Sequence, residues 1–214
     1  MVEPFLKNPH GITLTVVVTR EDLFVAFHER LAPFDNARVL LSRWEALPPH
    51  DCFVTAGNAF GLMNAGIDAA VVSRLGDAIQ RRVQDRILDE FLGEQPVGTA
   101  FILPTGHEDV PYLCHAPTMR VPGGITGTDN VYRAARASFI AAARQDASGG
   151  TRIRSLVLPA LGAGFGGVAA REVARQIAVA WRLFDEAPFR PDWDRIIRRE
   201  RLICMDGEKR MVRP

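Results

Sequence analysis

Two loops in this 214-residue chain have the composition of anion cradles. The first lies within Asp51 to Val72, DCFVTAGNAFGLMNAGIDAAVV. Its apolar start, Cys52-Phe53-Val54, reads as a strand. Small and polar residues follow from Thr55 to Gly66, and a helix is expected from about Ile67. The second runs from Ser155 to Gly167, SLVLPALGAGFGG, again between a buried strand and a helix. Such a junction offers negative charge the unpaired amides of a helix's first turn and the positive end of its dipole. Two of them in one small domain imply a diphosphate held between them. Gly66, Gly164 and Gly166 would let the backbone come close to a phosphate.

Length and composition frame those loops. At 47% hydrophobic and 24% charged, the chain has the make-up of one globular domain with a substantial core. A formal net charge of +1 gives no bulk attraction to nucleic acid or membrane, so a charged ligand must be handled locally. Met1 to Gly11 carries Glu3, Lys7 and two prolines ahead of any apolar run, unlike a secretory leader. No segment has the apolar length of a membrane span, and a cytoplasmic protein is expected. Cys52, Cys114 and Cys204 are widely separated. They lack disulfide or metal-ligand spacing and read as small buried hydrophobes, with no metal or cofactor expected.

The elements that must carry the loops alternate along the chain. Ile12 to Thr19 and Ala37 to Ser42 are β-rich runs flanking a helix over Glu21 to Leu31, whose Leu23, Phe24, Phe27 and Leu31 fall at helical spacing. After the first loop come helices over Ile67 to Leu75 and Asp77 to Leu92, the second with Ile79, Val83, Ile87 and Phe91 at i+4. Gly98 to Pro104 and Pro111 to His115 read as strands separated by a turn over Thr105 to Asp109. Thr128 or Asp129 is expected to cap a helix running to Arg144, ended by Ser148-Gly149-Gly150. A strand over Ile153 to Leu158 and a helix over Val168 to Phe184 complete an α/β fold with a mixed sheet. From Pro188 eight basic residues face five acids. This tail, 188–214, is expected to form a helix or hairpin packing Trp193, Ile196 and Ile197 onto the domain of residues 1–187. A basic arm that touches nucleic acid is the alternative.

In this order the loops resemble those of a macro domain, the three-layer α/β/α module that binds ADP-ribose. The family's Asn-Ala-Ala-Asn, Gly-Gly-Gly, Val-Asp signature is matched by Thr55-Ala56-Gly57-Asn58, Asn64-Ala65-Gly66 and Ile67-Asp68. The second signature, a strand ending in Pro before a Ser/Thr-Gly-x-x-Gly loop, is matched from Pro159 to Gly167. Leu113-Cys114-His115-Ala116-Pro117 stands at the family's Ile-His-Thr strand end. The resemblance covers about residues 40–184. The runs GNAFGLMNAGIDAAV, APTMRVP and LPALGAGFG are closer still to a divergent bacterial and phage branch. The departures are Thr55 for the first Asn, Asn64 and Ala65 for two glycines, and Gly162-Ala163 for the Ser/Thr. Gly166 stands where many relatives carry an aromatic, with Phe165 as its substitute.

The resemblance implies a role for each matched position. Asn64, Ala65, Gly66 and Ile67 would face the ligand from the first loop. Gly162, Ala163, Gly164, Phe165 and Gly166 would face it from the second. Glu45 is the candidate for the adenine amine. Pro117, Thr118 and Arg120 lie on a loop that relatives place near the ligand, Thr118 and Arg120 suiting equally a diphosphate or distal-ribose contact and a structural brace. Asn58 would hydrogen-bond the distal ribose, or staple its own loop. Asp68 would orient or activate a water at the anomeric carbon, or only favour its helix N-terminus. Trp44 and His115 read as core residues. The implied partner is ADP-ribose or an ADP-ribosylated substrate. Hydrolysis of an ADP-ribosyl bond or of ADP-ribose 1″-phosphate is the leading expectation, and a non-catalytic reader its rival.

Overall fold

The computed structural model describes residues 10–145 and 151–213. Strands β1 (Thr13–Val18), β2 (Ala37–Leu41), β3 (Cys52–Thr55), β4 (Phe101–His107), β5 (Val110–His115) and β6 (Ser155–Pro159) form one sheet in the order β2-β1-β6-β3-β5-β4. All neighbours are parallel except β4 and β5. Helices α1 (Glu21–Leu31), α4 (Asn130–Arg144) and α5 (Ala170–Asp185) cover one face, and α2 (Gly66–Leu75) and α3 (Ala78–Phe91) the other. Side chains that alternate along each strand divide accordingly. Val16, Val54 and Leu158 join a core with Phe27, Phe139 and Trp181, whereas Val17, Phe53 and Val157 join one with Ile79, Val83 and Ile87. The fold is the three-layer α/β/α arrangement with a mixed sheet.

Topology explains why the two glycine-rich loops meet. They follow β3 and β6, and those strands are parallel neighbours, so both loops leave the same edge of the sheet side by side. The strand order also turns at β6, which lies between β1 and β3. The crevice beyond the carboxyl ends of strands at such a turning point is where open α/β sheets bind ligands.

Three expectations need correction. The turn between β4 and β5 is only Glu108-Asp109, because the strands run on through Thr105–His107. Of the two cap candidates of α4, Thr128 accepts from Asn130 N at 3.4 Å, whereas Asp129, at the N-cap position, makes no capping bond and pairs with Arg133 at 2.7 Å. The tail does form a helix, α6 (Trp193–Cys204), and a short hairpin of β7 (Met205–Asp206) and β8 (Lys209–Arg210). However, Trp193 is 77% exposed, and Ile196 and Ile197 are exposed too. Ile203, Cys204 and Val212 are the residues that join the core. Arg175 fastens the end of α6, donating to the carbonyls of Leu202, Ile203 and Met205 at 2.8–3.1 Å while paired with Glu172. That buried guanidinium satisfies carbonyls a helix C-terminus leaves open. Ser148-Gly149-Gly150 lies outside the described residues. Among the described residues no helix is long and apolar enough to cross a membrane.

Candidate ligand cleft

The first loop becomes a cradle because of what precedes α2. Ala65 holds the N-cap position and has no side chain to bond the first-turn amides. Among the described residues, the N–H groups of Gly66 and Ile67 find no protein acceptor, and neither do those of Gly164, Phe165 and Gly166 in the second loop. Five uncommitted amides thus stand in two facing loops. The second loop keeps its shape through glycine. Gly162 has φ +81°, and a Cβ on Gly166 would come within 2.5 Å of the Gly162 carbonyl oxygen. Gly164 differs: nothing lies within 4 Å of where its Cβ would be, so its front faces the open cleft.

Two cavities meet at these loops. One of about 210 Å³ is lined by Asn58, Asn64, Ala65, Asp68 and Thr118 from the β3 and β5 sides. Gly162, Phe165 and Gly166 close it from the β6 side. The other, of about 340 Å³, is lined by Arg20, Arg43, Glu45 and Ala163. Gly66, Ile67 and Gly164 line both and form the neck between them. Of the positions expected to face the ligand, Pro117 and Arg120 touch neither cavity; Pro117 is buried and Arg120 is exposed. A larger hollow of about 950 Å³ lies between α4, the end of α5 and α6, but neither glycine loop reaches it. The amide-lined cleft is therefore the candidate site.

Asp68 is the chemically unusual group. It is buried in the first turn of α2, and burial raises its carboxyl to about 6. The hydroxyl of Thr55, fully buried at the end of β3, donates to Asp68 Oδ1 and opposes that rise. Asn58 is committed locally. Its Nδ2 donates to the Leu62 carbonyl at 2.8 Å, and its Oδ1 accepts from Phe60 and Leu62 amides at 3.1 and 3.3 Å. Thr118 is fully buried on the cavity wall, and its hydroxyl has no protein partner. Arg120 donates from Nε and Nη2 to the two carboxylate oxygens of Glu94, at 2.6 and 3.0 Å, and lies over Phe60. It braces the loop. Trp44 stacks on Phe53 and donates to His50, which makes it core. Phe165 is 66% exposed at the cleft mouth.

Several site residues were given no individual role by the sequence. Thr55 read only as a departure from a signature, yet it is the partner of Asp68. Leu62, Met119 and Pro122 line the smaller cavity, and Arg20 and Arg43 the larger. Nothing in their spacing marks them, because loops that converge from separate strands leave no local pattern.

A mixed α/β/α sandwich with an amide-lined cleft at the carboxyl edge of its sheet defines the class. The sequence model of the Macro domain family matches residues 54–177, over half of the chain, and the protein belongs to that family. A protein of Aeropyrum pernix is 31% identical over 130 residues, which is 61% of this chain and 62% of that protein. This chain therefore spans less than two thirds of that relative. The macrodomain of Mycobacterium tuberculosis DarG aligns with a TM-score of 0.53 at 19% identity, over 68% of this chain and 90% of the other. A substituted Oceanobacillus iheyensis macrodomain with ADPR gives 0.54 at 15% identity, over 86% and 82%. At these identities the structural matches speak to the fold.

Proposed function

We propose that this protein binds ADP-ribose across the two cavities and hydrolyses an ADP-ribosyl bond. Adenosine lies in the 340 Å³ cavity with Glu45 beside its exocyclic amine. The diphosphate occupies the neck, against the free amides of Gly66, Ile67, Gly164, Phe165 and Gly166. The distal ribose enters the 210 Å³ cavity beside Asp68. The observation that carries the proposal is the meeting of two uncapped amide cradles next to a buried carboxylate. The ADPR present in the O. iheyensis macrodomain is consistent with it.

In the hydrolytic step, ionised Asp68 takes a proton from a water as that water attacks the anomeric carbon. The bond to the acceptor breaks, and the acceptor leaves with the bonding pair. Asp68 also stabilises the positive charge that develops on the sugar. Loop amides hold the diphosphate and fix the sugar relative to the water.

A non-catalytic reader is the second reading, favoured by the Asn58 side chain, whose bonds go to its own loop rather than to the cavity. Incubation with ADP-ribosylated protein, ADP-ribosylated DNA and ADP-ribose 1″-phosphate separates the two. Release of ADP-ribose from any of them supports hydrolysis. Binding of ADP-ribose without product on all three leaves the reader.

A further inference from the structure

We infer that His115 is a positioning residue of the cleft: its imidazole fills the space a side chain at position 57 would need and fixes the wall that carries Thr118. The inference deepens the proposed site and rests on that reading only for its ligand-binding arm.

The ring's state follows from its neighbours. His115 is fully buried at the end of β5, and its Nδ1 lies 2.6 Å from Oε1 of Gln95, which is equally buried. A carboxamide oxygen can only accept, so Nδ1 carries the proton and Nε2 is a bare lone pair. The Gln95 orientation is supported from its other end, where Nε2 donates to the His115 carbonyl at 3.5 Å. Burial lowers the imidazole to about 3, so the ring is neutral throughout the ordinary pH range.

His115 Nε2 has no hydrogen-bond partner, although it is buried. It faces Gly57. A Cβ on Gly57 would overlap Nε2 outright and come within 2.8 and 2.9 Å of ring carbons Cδ2 and Cε1. The Gly57 backbone is not in the left-handed region, and the three atoms nearest to a side chain there all belong to the imidazole. The glycine presents a Cα hydrogen to the lone pair, a weak contact that nothing larger could make.

This contact locks a segment of the cleft. Gly57 lines the smaller cavity, and its carbonyl accepts from Thr118 N at 3.0 Å. The next residue but one, Ala59, accepts from Gln95 N at 2.9 Å and donates to the Met119 carbonyl at 3.0 Å. Gln95, His115 and Gly57 thus hold the loops after β3 and β5 in one register. That register sets the place of the Thr118 hydroxyl, the fully buried, uncommitted donor on the cavity wall. A sugar hydroxyl reaching that wall has a partner only if the lock is intact.

The test is a size exchange read by calorimetry with ADP-ribose, by thermal unfolding and by ¹⁵N NMR of the imidazole. Gly57→Ala should weaken binding about tenfold or more, and the double variant with His115→Ala should return to within about threefold of the wild type. Additive losses in the double variant, or an unchanged Gly57→Ala, overturn the inference. If Gly57→Ala unfolds, the same recovery must appear in melting temperature, and its absence there is equally contrary. The wild-type ring should show Nδ1 protonated and Nε2 bare from pH 5 to 8; any other form contradicts the lock. The NMR and melting arms need no ligand, so failure of ADP-ribose to bind would count against the proposed function and leave them to decide the lock.

Discussion

The Thr55 hydroxyl donates to Oδ1 of Asp68, joining the last residue of β3 to the first turn of α2 behind the smaller cavity. Both residues are buried. The threonine that departs from the signature therefore supplies the donor that favours ionisation of a buried carboxylate. Burial raises the group to about 6, and the hydroxyl restrains it.

Asp68→Asn should leave ADP-ribose affinity within about threefold and lower turnover about a hundredfold or more, because the amide cannot take a proton. Steady-state kinetics and calorimetry on the two proteins read both quantities. In the wild type the acid limb of the rate profile should fall near pH 6, since only the ionised carboxylate serves as base.

The same variant should be more stable than the wild type at pH 7. The folded-state pKa of about 6 exceeds the ordinary 3.8, so folding takes up a proton between those values. The contribution of this group to stability is present below about pH 4 and is lost as pH rises through 6. Removing the buried charge should recover up to about 3 kcal/mol at neutral pH, with the gain vanishing in acid. Asp185 is also raised to about 6, so the difference between variant and wild type in denaturant melts is the quantity that isolates Asp68.

Thr55→Val keeps the shape of the side chain and deletes the donor. The acid limb of the rate profile should move to higher pH, and the protein should lose about 1–2 kcal/mol near neutrality, where the carboxylate is left unpaired. A limb that stays in place would separate Thr55 from Asp68 in function.

Gly164 and Gly166 should respond differently to alanine. A methyl at Gly164 meets nothing within 4 Å and projects where the ligand passes, so melting should hardly change while affinity falls about tenfold or more. At Gly166 the methyl meets the Gly162 carbonyl and Ile125, and stability should fall by about 1–3 kcal/mol. Paired melting curves and titrations distinguish these outcomes.

Arg175→Leu should release the end of α6. Three carbonyls and Glu172 lose a buried partner, with an expected cost of about 3 kcal/mol. ADP-ribose affinity should stay within about twofold, because this cluster lines neither cleft cavity. Hydrogen exchange should rise in residues 193–204 first.

The parts of this architecture written locally were legible in the sequence. β-Branched runs gave the strands, and i+4 apolar spacing gave α3 to within a residue at each end. The two glycine-rich loops stand out by composition alone. What the sequence hid depends on contacts between distant segments. Trp193 and Ile197 read as a packing face, but the buried end of α6 is chosen by Arg175 from α5. Thr105–His107 read as a turn, yet pairing with β5 extends the strand. Gln95 gave no signal at all, because its role appears only where the ends of β3 and β5 come together.

The most direct measurement is an amide-resolved NMR titration with ADP-ribose. Resonances of Gly66 and Ile67 in one loop and of Gly164, Phe165 and Gly166 in the other should shift together, with one dissociation constant, and ribose 5-phosphate should not reproduce the pattern. Shifts confined to one loop, two separate constants, or no response to ADP-ribose would contradict a single diphosphate held between the cradles.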